Sequence, residues 1–155
     1  MPRYEFGFGL SYTKFAYTNL EIVANIYEND TNAQLEAAWA AGLPTSSILT
    51  IDWLHIIAVN VTFDVQNTGA VAGTEIPQVY LHYPANSGEP PAVLRGFTDV
   101  ELQPGEKQSV TIYLTRFDLS IWDTVGQSYV RASGTYSLSV GASSRDFRLN
   151  GTIPI

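Results

Sequence analysis

The amino-acid sequence predicts an all-β protein, a two-sheet β-sandwich of about seven short strands. Several segments alternate apolar and polar residues with a period of two, as expected for a strand with one face on a core and the other in water. Turn-forming residues separate these segments. The 155 residues, 45% of them hydrophobic and 15% charged, are enough for one domain (residues 1–155) with its own core.

The clearest strand runs from Val59 to Gln66, where Val59, Val61, Phe63 and Val65 alternate with polar residues. The predicted strands, in chain order, are residues 15–26, 59–66, 78–83, 94–102, 109–115, 135–140 and 146–149. Between two of them, Gln103-Pro-Gly-Glu106 carries Pro and Gly at the central positions of a type II turn.

Two segments interrupt the strand pattern. Thr31-Asn-Ala-Gln34 resembles a capping box and predicts a helix over about 31–41. This helix lies in an insert of residues 28–53 between the first two strands. Residues 116–122 predict a short helical turn. Residues on one face of the first helix would be Leu35, Ala38 and Trp39.

Composition limits the possible partners. The net charge is −7 and only eight residues are Lys or Arg, which argues against nucleic acid and anionic membranes. The chain has no cysteine and no apolar run near the ~20 residues that span a membrane. Three Asn-x-Thr sequons predict a secreted glycoprotein, with candidate N-glycosylation at Asn29, Asn60 and Asn150.

No catalytic motif is apparent in the sequence, and we predict neither catalytic residues, nor a cofactor, nor a metal site. Glycoside hydrolysis needs two carboxylates facing each other across a pocket, and no motif pairs two here. We expect Asp64 to be solvated on a strand, Asp118 to be the N-cap residue of a helix and Arg145 to pair with Asp146. His82 is expected near a surface or sheet rim. The aspartates considered are Asp52, Asp64, Asp99, Asp118, Asp123 and Asp146.

The aromatic residues are the candidate functional group. Exposed rings can stack on sugar faces or dock on another protein, whereas rings in a sandwich are more often part of the core. We expect Trp122 in the core, and Trp39 and the aromatic N-terminus on the surface. The candidate docking or polymer-binding surface comprises Tyr4, Phe6, Phe8, Tyr12, Tyr17, Trp39 and Trp53.

Four motifs in fixed order resemble a known family. They are Phe6-Gly-Phe-Gly-Leu-Ser-Tyr-Thr13, Leu102-Gln-Pro-Gly-Glu106, Asp118-Leu-Ser-Ile-Trp-Asp123, and Gly134-Thr-Tyr-Ser-Leu-Ser-Val-Gly-Ala-Ser-Ser-Arg-Asp146. Together they resemble the C-terminal fibronectin type III-like domain of glycoside hydrolase family 3 β-glucosidases, in a fungal variant. The resemblance covers nearly the whole chain and implies an immunoglobulin-like sandwich.

The resemblance implies a non-catalytic domain of a secreted enzyme that hydrolyses terminal β-D-glucosyl residues. The catalytic residues would lie on upstream domains, and residues 1–13 would be the lead-in segment by which the chain enters the sandwich. The expected partners are then those catalytic domains. The alternative is a module that holds the enzyme on cellulose, lignin or another insoluble polymer through exposed rings.

Overall fold

In a computed structural model, residues 3–24, 30–42 and 53–155 are described. Within these ranges the chain forms eleven strands and two helices. They are, in order, β1 (Phe15–Ala24), α1 (Asp30–Ala40), β2 (Ile57–Asn67), β3 (Gly73–Glu75), β4 (Gln78–His82), β5 (Val93–Phe97), β6 (Val100–Leu102), β7 (Lys107–Thr115), α2 (Arg116–Leu119), β8 (Ser120–Asp123), β9 (Ser128–Arg131), β10 (Ser137–Ser143) and β11 (Asp146–Thr152).

Two antiparallel sheets carry the fold. One has the strand order β1-β2-β7 and the other β11-β10-β4-β5, so the two main sheets contain seven strands. Two short ribbons, β3-β6 and β8-β9, complete the described strands. The core between the sheets is formed by apolar residues from both, for example Val61 and Phe63 of β2 and Leu81 and Leu138 of the facing sheet. The predicted two-sheet sandwich is confirmed.

The central strand β2 shows how the sequence pattern fixes the sheet. Val59, Val61, Phe63 and Val65 are fully buried, and the polar residues between them face outward. Because side chains alternate along a strand, a shift of one residue would expose all four apolar groups. The predicted strand over residues 59–66 is confirmed.

The predicted strand over residues 94–102 is two strands in the structure. Strand β5 pairs with β4, whereas β6 pairs with β3 in a separate ribbon, and Thr98 and Asp99 lie between them. The change of partner is a tertiary property that local alternation does not encode. The turn that follows is as predicted, since Gly105 has a φ of 80° and Glu106 N–H donates to the Gln103 carbonyl at 3.0 Å.

Tyr136, just before β10, forms a tyrosine corner of the kind found in immunoglobulin-like sandwiches. Its hydroxyl accepts a hydrogen bond from Ala132 N–H at 2.9 Å and donates one to the Leu119 carbonyl at 2.8 Å. The ring is buried against Tyr83, with the ring centroids 5.7 Å apart. One side chain thereby fixes the approach to β10 and the end of α2.

Helix α2 is shorter than the predicted turn, since β8 begins at Ser120. Its N-cap is Thr115, whose hydroxyl accepts from Asp118 N–H, while the Asp118 carboxylate accepts from Thr115 N–H at 2.8 Å. Asp118 therefore belongs to the cap as the third helical residue of a capping box, and the expectation that it is itself the N-cap residue is wrong.

Helix α1 closes one end of the core. Trp39 is buried and Leu35 packs against the core, as expected for one helical face. The side chains of residues 30–32, and with them the predicted capping box at Thr31, lie outside the described residues, as does most of the rest of the insert. In the described part of the chain, no helix is long and apolar enough to cross a membrane.

Candidate docking surface

The lead-in segment is fastened to the four-stranded sheet through its backbone. Ser144 N–H donates to the Phe6 carbonyl at 2.9 Å, and Gln78 Nε2 donates to the Gly7 carbonyl at 2.9 Å. The Ser143 hydroxyl donates to Glu5 Oε1 at 2.9 Å. The path of residues 5–7 is thus fixed by three hydrogen bonds to the sheet.

Gln78 is the anchor of this attachment. It is buried, and Nε2 also donates to the Ala142 carbonyl at 2.9 Å while Oε1 accepts from the Tyr80 hydroxyl. Gly7 has a φ of 78°, and a Cβ there would lie 2.1 Å from Gln78 Oε1. Glycine is therefore required at position 7 both for the left-handed backbone and for the close approach to Gln78.

The large apolar side chains of the lead-in segment are exposed to solvent. Tyr12 is 100% exposed and Leu10 89% exposed, and Phe6 is also mostly exposed. Tyr4 and Phe8 stack on each other, with ring centroids 5.0 Å apart and ring planes 22° apart. A segment with a fixed backbone and free apolar side chains is characteristic of an interaction surface.

An apolar groove of about 470 Å³ lies between this segment and the sandwich. Ile76 and Phe97, from the body of the domain, are both at least half exposed beside it. We use the name lead-in surface for the exposed apolar residues of the lead-in segment together with Ile76 and Phe97. Its residues are Tyr4, Phe6, Phe8, Leu10, Tyr12, Ile76 and Phe97. Sequence reasoning missed Leu10, Ile76 and Phe97, because neither their chemistry nor their spacing distinguishes them from core residues.

A more polar cavity of about 380 Å³ adjoins this groove and shares Phe8, Gly9 and Ser11 with it. On its wall, Arg148 pairs with Asp146 at 2.8 Å and lies 4.7 Å from the Tyr17 ring centroid. The hydrogen bond from Arg148 lowers the pKa of Asp146. Burial, together with the nearby Glu75 carboxylate, raises the pKa of Tyr17. The expected pairing of Arg145 with Asp146 is wrong, because Arg148, two residues along β11, takes that place.

Three candidate rings are buried and cannot face a partner. Tyr17 is 7% exposed and donates its hydroxyl hydrogen to Glu75 Oε1 at 2.7 Å. Trp39 and Trp53 are 1% and 2% exposed, in edge contact with centroids 6.0 Å apart. The expected exposure of Trp39 is wrong because α1 directs it inward, where its Nε1 donates to Ser120 Oγ at 2.8 Å.

The prediction for Trp122 is wrong in the opposite direction. It was expected in the core, but it is half exposed on β8 and touches Tyr129 of the neighbouring strand, with centroids 5.0 Å apart. Side chains alternate along a strand, and it is Leu119 and Ile121 that pack toward the core. Trp122 lies outside the lead-in surface and provides a comparison for it.

Four of the described aspartates, Asp64, Asp118, Asp123 and Asp146, have structural partners. Asp64 accepts from Lys107 at 2.9 Å and from Asn19 at 2.8 Å, and these hydrogen bonds lower its pKa. Asp123 accepts from the backbone N–H groups of Val125 and Gly126. Asp52 lies outside the described residues, and Asp99 is exposed.

The two histidines have ordinary surroundings. His82 lies partly exposed on the outer face of the four-stranded sheet, with Nδ1 2.7 Å from the Pro91 carbonyl and Nε2 2.7 Å from Ser139 Oγ. His55 packs beside Phe117 with centroids 5.2 Å apart. Among residues 3–24, 30–42 and 53–155, no group of three His, Cys, Asp or Glu side chains is arranged to hold a metal.

The sequons lie in different settings. Asn150 is exposed on β11, whereas Asn60 is half-buried on the central strand β2. Asn29 is outside the described residues.

The sequence is similar to a known domain family and to part of several β-glucosidases. Residues 75–144 match the family model of the fibronectin type III-like domain. The chain is 42% identical over 154 residues to probable beta-glucosidase D of Aspergillus niger, covering 99% of the chain and 19% of that protein. It is 44% identical over 154 residues to beta-glucosidase cel3A of Pyricularia oryzae, covering 99% of the chain and 18% of that protein.

Solved structures of β-glucosidases contain a region with a similar fold. The β-glucosidase D2-BGL of Chaetomella raphigera matches with a TM-score of 0.82 and 41% identity, over 99% of this chain and 20% of that one. A glycoside hydrolase family 3 β-glucosidase from Neurospora crassa matches with a TM-score of 0.77 and 28% identity, over 98% of this chain and 26% of that one. The chain thus spans about a fifth of the length of the curated relatives that it matches.

Proposed function

Because this chain carries a fibronectin type III-like domain related to one segment of fungal family 3 β-glucosidases, we propose that it is the non-catalytic, C-terminal accessory domain of such an enzyme. In this proposal it packs against the catalytic domains and stabilises them. The parent enzyme is secreted and hydrolyses terminal β-D-glucosyl residues in the breakdown of cellulose and other polysaccharides. The catalytic residues belong to the parts of the parent outside this chain.

The proposal rests on the lead-in segment, whose backbone is hydrogen-bonded to the sandwich at Phe6 and Gly7 while its large apolar side chains are exposed. Fixing a backbone before association removes the entropy cost of ordering it later, so such a segment is preorganised for docking. Exposed apolar side chains on both walls of the groove provide the area that a protein partner would bury. The occupant we propose is the catalytic body of the same enzyme.

The roles of the described carboxylates support a non-catalytic domain. Asp64, Asp118, Asp123 and Asp146 serve ion pairs, caps and turns, and the pKa values of Asp64 and Asp146 are lowered, as suits a charged structural partner. A glycosidase acid needs the opposite, a carboxyl group whose pKa is raised by its surroundings.

The alternative is anchoring to cellulose, lignin or another polymer through exposed rings. It is supported by the complete exposure of Tyr12 and by the mostly exposed ring of Phe6. Docking is better supported, because Tyr4 and Phe8 stack on each other and so each already has one face covered. Three of the seven rings first considered are also buried.

The test is to replace the two most exposed side chains of the lead-in surface in the full-length parent enzyme. Leu10→Ala with Tyr12→Ala is expected to speed thermal inactivation several-fold, because the interface with the catalytic domains loses apolar area. Trp122→Ala, which removes an exposed ring elsewhere, is the matched control and is expected to inactivate at the parent rate. Equal inactivation rates for all three proteins would contradict the proposal.

Measuring how much of each protein cellulose and lignin remove from solution distinguishes docking from polymer anchoring. Docking predicts that the Leu10 and Tyr12 changes leave depletion unaltered. Depletion that is lost with Tyr12→Ala alone would instead favour polymer anchoring.

A further inference from the structure

We propose that Asn150 is N-glycosylated and that its first sugar lies in the groove beside it, on the outer face of the four-stranded sheet. This rests on the secretion proposed above, because sequons are modified on secreted proteins. It distinguishes Asn150 from Asn60, the other sequon in the described residues, and gives the glycan a defined contact surface.

The position of Asn150 suits a bulky group. It is exposed on β11, which is the edge strand of its sheet and pairs only with β10 among the described strands. Asn60, by comparison, is half-buried on the middle strand of the other sheet, between its cross-strand neighbours Val23 and Tyr113. A group attached at Asn150 therefore meets no further strand of this sheet beyond β11.

The orientation of the Asn150 amide is fixed by the sheet. The Ser139 hydroxyl donates to Asn150 Oδ1 at 2.7 Å, and Ser139 is buried, with its oxygen also 2.7 Å from His82 Nε2. Because Ser139 bonds to Oδ1, this hydrogen bond leaves Nδ2, the atom that is glycosylated, unoccupied by Ser139. Glycosylation uses Nδ2 and keeps the carbonyl, so the bond from Ser139 remains.

A groove of about 530 Å³ receives the sugar. Its walls include His82, Phe147 and Thr152, and the Phe147 ring is held beside Tyr80 and His82, at centroid distances of 5.3 and 5.8 Å. An aromatic ring beside polar groups suits a pyranose, which has an apolar face and hydroxyls at its rim.

Packing requires glycine at position 151, whereas the hydroxyl of Thr152 takes no part in the packing of β11. A Cβ at position 151 would lie 2.4 Å from Ile22 Cδ1, so glycine is needed for packing against β1. Thr152 is exposed, and its hydroxyl has no hydrogen-bond partner within residues 3–24, 30–42 and 53–155. The sequon requires a hydroxyl at position 152 and so supplies a role for it.

The modification is a substitution at a sugar carbon. Nδ2 of Asn150 bonds to C1 of the terminal N-acetylglucosamine of a lipid diphospho-oligosaccharide. The bond from C1 to the phosphate oxygen breaks, Nδ2 loses one proton and the lipid diphosphate leaves. No electron acceptor or donor is involved.

The experiment directs the chain into the secretory pathway of a yeast with a standard leader and maps peptides after glycosidase release in H₂¹⁸O. The peptide that contains Asn150 is expected to carry the ¹⁸O label in most molecules. Asn150→Gln and Thr152→Ala should each lose this one glycan, Thr152→Ser should keep it, and Asn60→Gln should leave it unchanged. An unlabelled Asn150 peptide in exported protein would overturn the proposal.

The melting temperature tests separately whether the sugar lies in the groove. Removing glycans from the exported Asn60→Gln protein is expected to lower Tm by about 2 °C. The same treatment of Asn60→Gln with Phe147→Ala should lower it by less, because the ring contact is already absent. Equal decreases would overturn the placement in the groove. Since the leader supplies export, these results do not depend on natural secretion, which is tested separately by looking for the parent enzyme in the medium of its own source.

Discussion

Arg116 and Glu36 join the short helix α2 to the helix α1 that closes the core. The Arg116 side chain is fully buried, and its Nε donates to Glu36 Oε2 at 2.7 Å. The guanidinium also lies 4.8 Å from the Trp53 ring centroid and donates to the Ile56 carbonyl. Because a buried cation without its partner is costly, this pair fixes α1 on the sandwich.

Glu36→Ala should therefore destabilise the domain. We expect the free energy of unfolding to fall by about 2 kcal/mol, since a charge-assisted hydrogen bond to a buried group is lost. Urea denaturation followed by tryptophan fluorescence measures this. Ala37→Gln, at an exposed position on the same helix, is the control and should change the unfolding free energy by less than ~0.5 kcal/mol. A loss equal to that of the control would contradict the role of the pair.

Gly7→Ala should release the lead-in segment. Alanine in the left-handed region costs roughly 1–2 kcal/mol, and its Cβ would collide with Gln78. We expect chymotrypsin to cleave near Phe6 and Phe8 several-fold faster, with the sandwich left intact. Gly9→Ala is the matched control, because a Cβ at position 9 would meet nothing within 4 Å. Similar cleavage rates for the two variants would show that Gln78 does not hold the segment.

Tyr136→Phe should remove the tyrosine corner. The Ala132 N–H and the Leu119 carbonyl lose their partner in a buried setting, so we expect a loss of about 1–3 kcal/mol in unfolding free energy at pH 7. Tyr113→Phe changes an exposed hydroxyl on β7 and is the control. If the two variants unfold at the same urea concentration, Tyr136 does not fix the sheet as argued.

The same residue predicts a pH dependence. Burial raises the pKa of Tyr136 to about 12 from an ordinary value near 10. Between pH 10 and 12 the unfolded chain therefore loses this proton while the folded chain keeps it, and the stability from Tyr136 declines as pH rises. The advantage of the wild type over Tyr136→Phe should shrink by up to about 1.4 kcal/mol per pH unit in this window. An advantage that stays constant from pH 9 to 11.5 would contradict the assignment.

The sequence predicted those parts of the fold that are encoded locally. Strand β2 alternates without interruption, and the turn at Gln103-Pro-Gly-Glu106 carries residues suited to its dihedral angles, so both were correct. The separation of β5 from β6 was missed because each strand chooses a partner distant in sequence. Strands β3, β8 and β9 have three or four residues, too few to show a period.

Only part of the candidate surface could be predicted, because local residue patterns do not show which side chains pack against distant parts of the chain. Local composition identified the aromatic lead-in segment but could not show which rings are buried. Trp39 is inside because Ser120, far along the chain, accepts its Nε1–H. Ile76 and Phe97 reach the surface only because β4 and β5 bring them to the segment. Whether an aromatic ring is exposed depends on contacts with residues distant in sequence. The number of aromatic rings in a segment can be read from the sequence alone.

The most direct measurement is the affinity of this isolated chain for the remainder of its parent enzyme, determined by titration calorimetry. We expect association, weakened at least about tenfold by Leu10→Ala with Tyr12→Ala, which corresponds to ~1.4 kcal/mol of lost interface energy. Trp122→Ala should bind like the wild type. Failure to associate, or equal affinity for wild type and the Leu10 and Tyr12 double variant, would contradict the lead-in surface as the docking site.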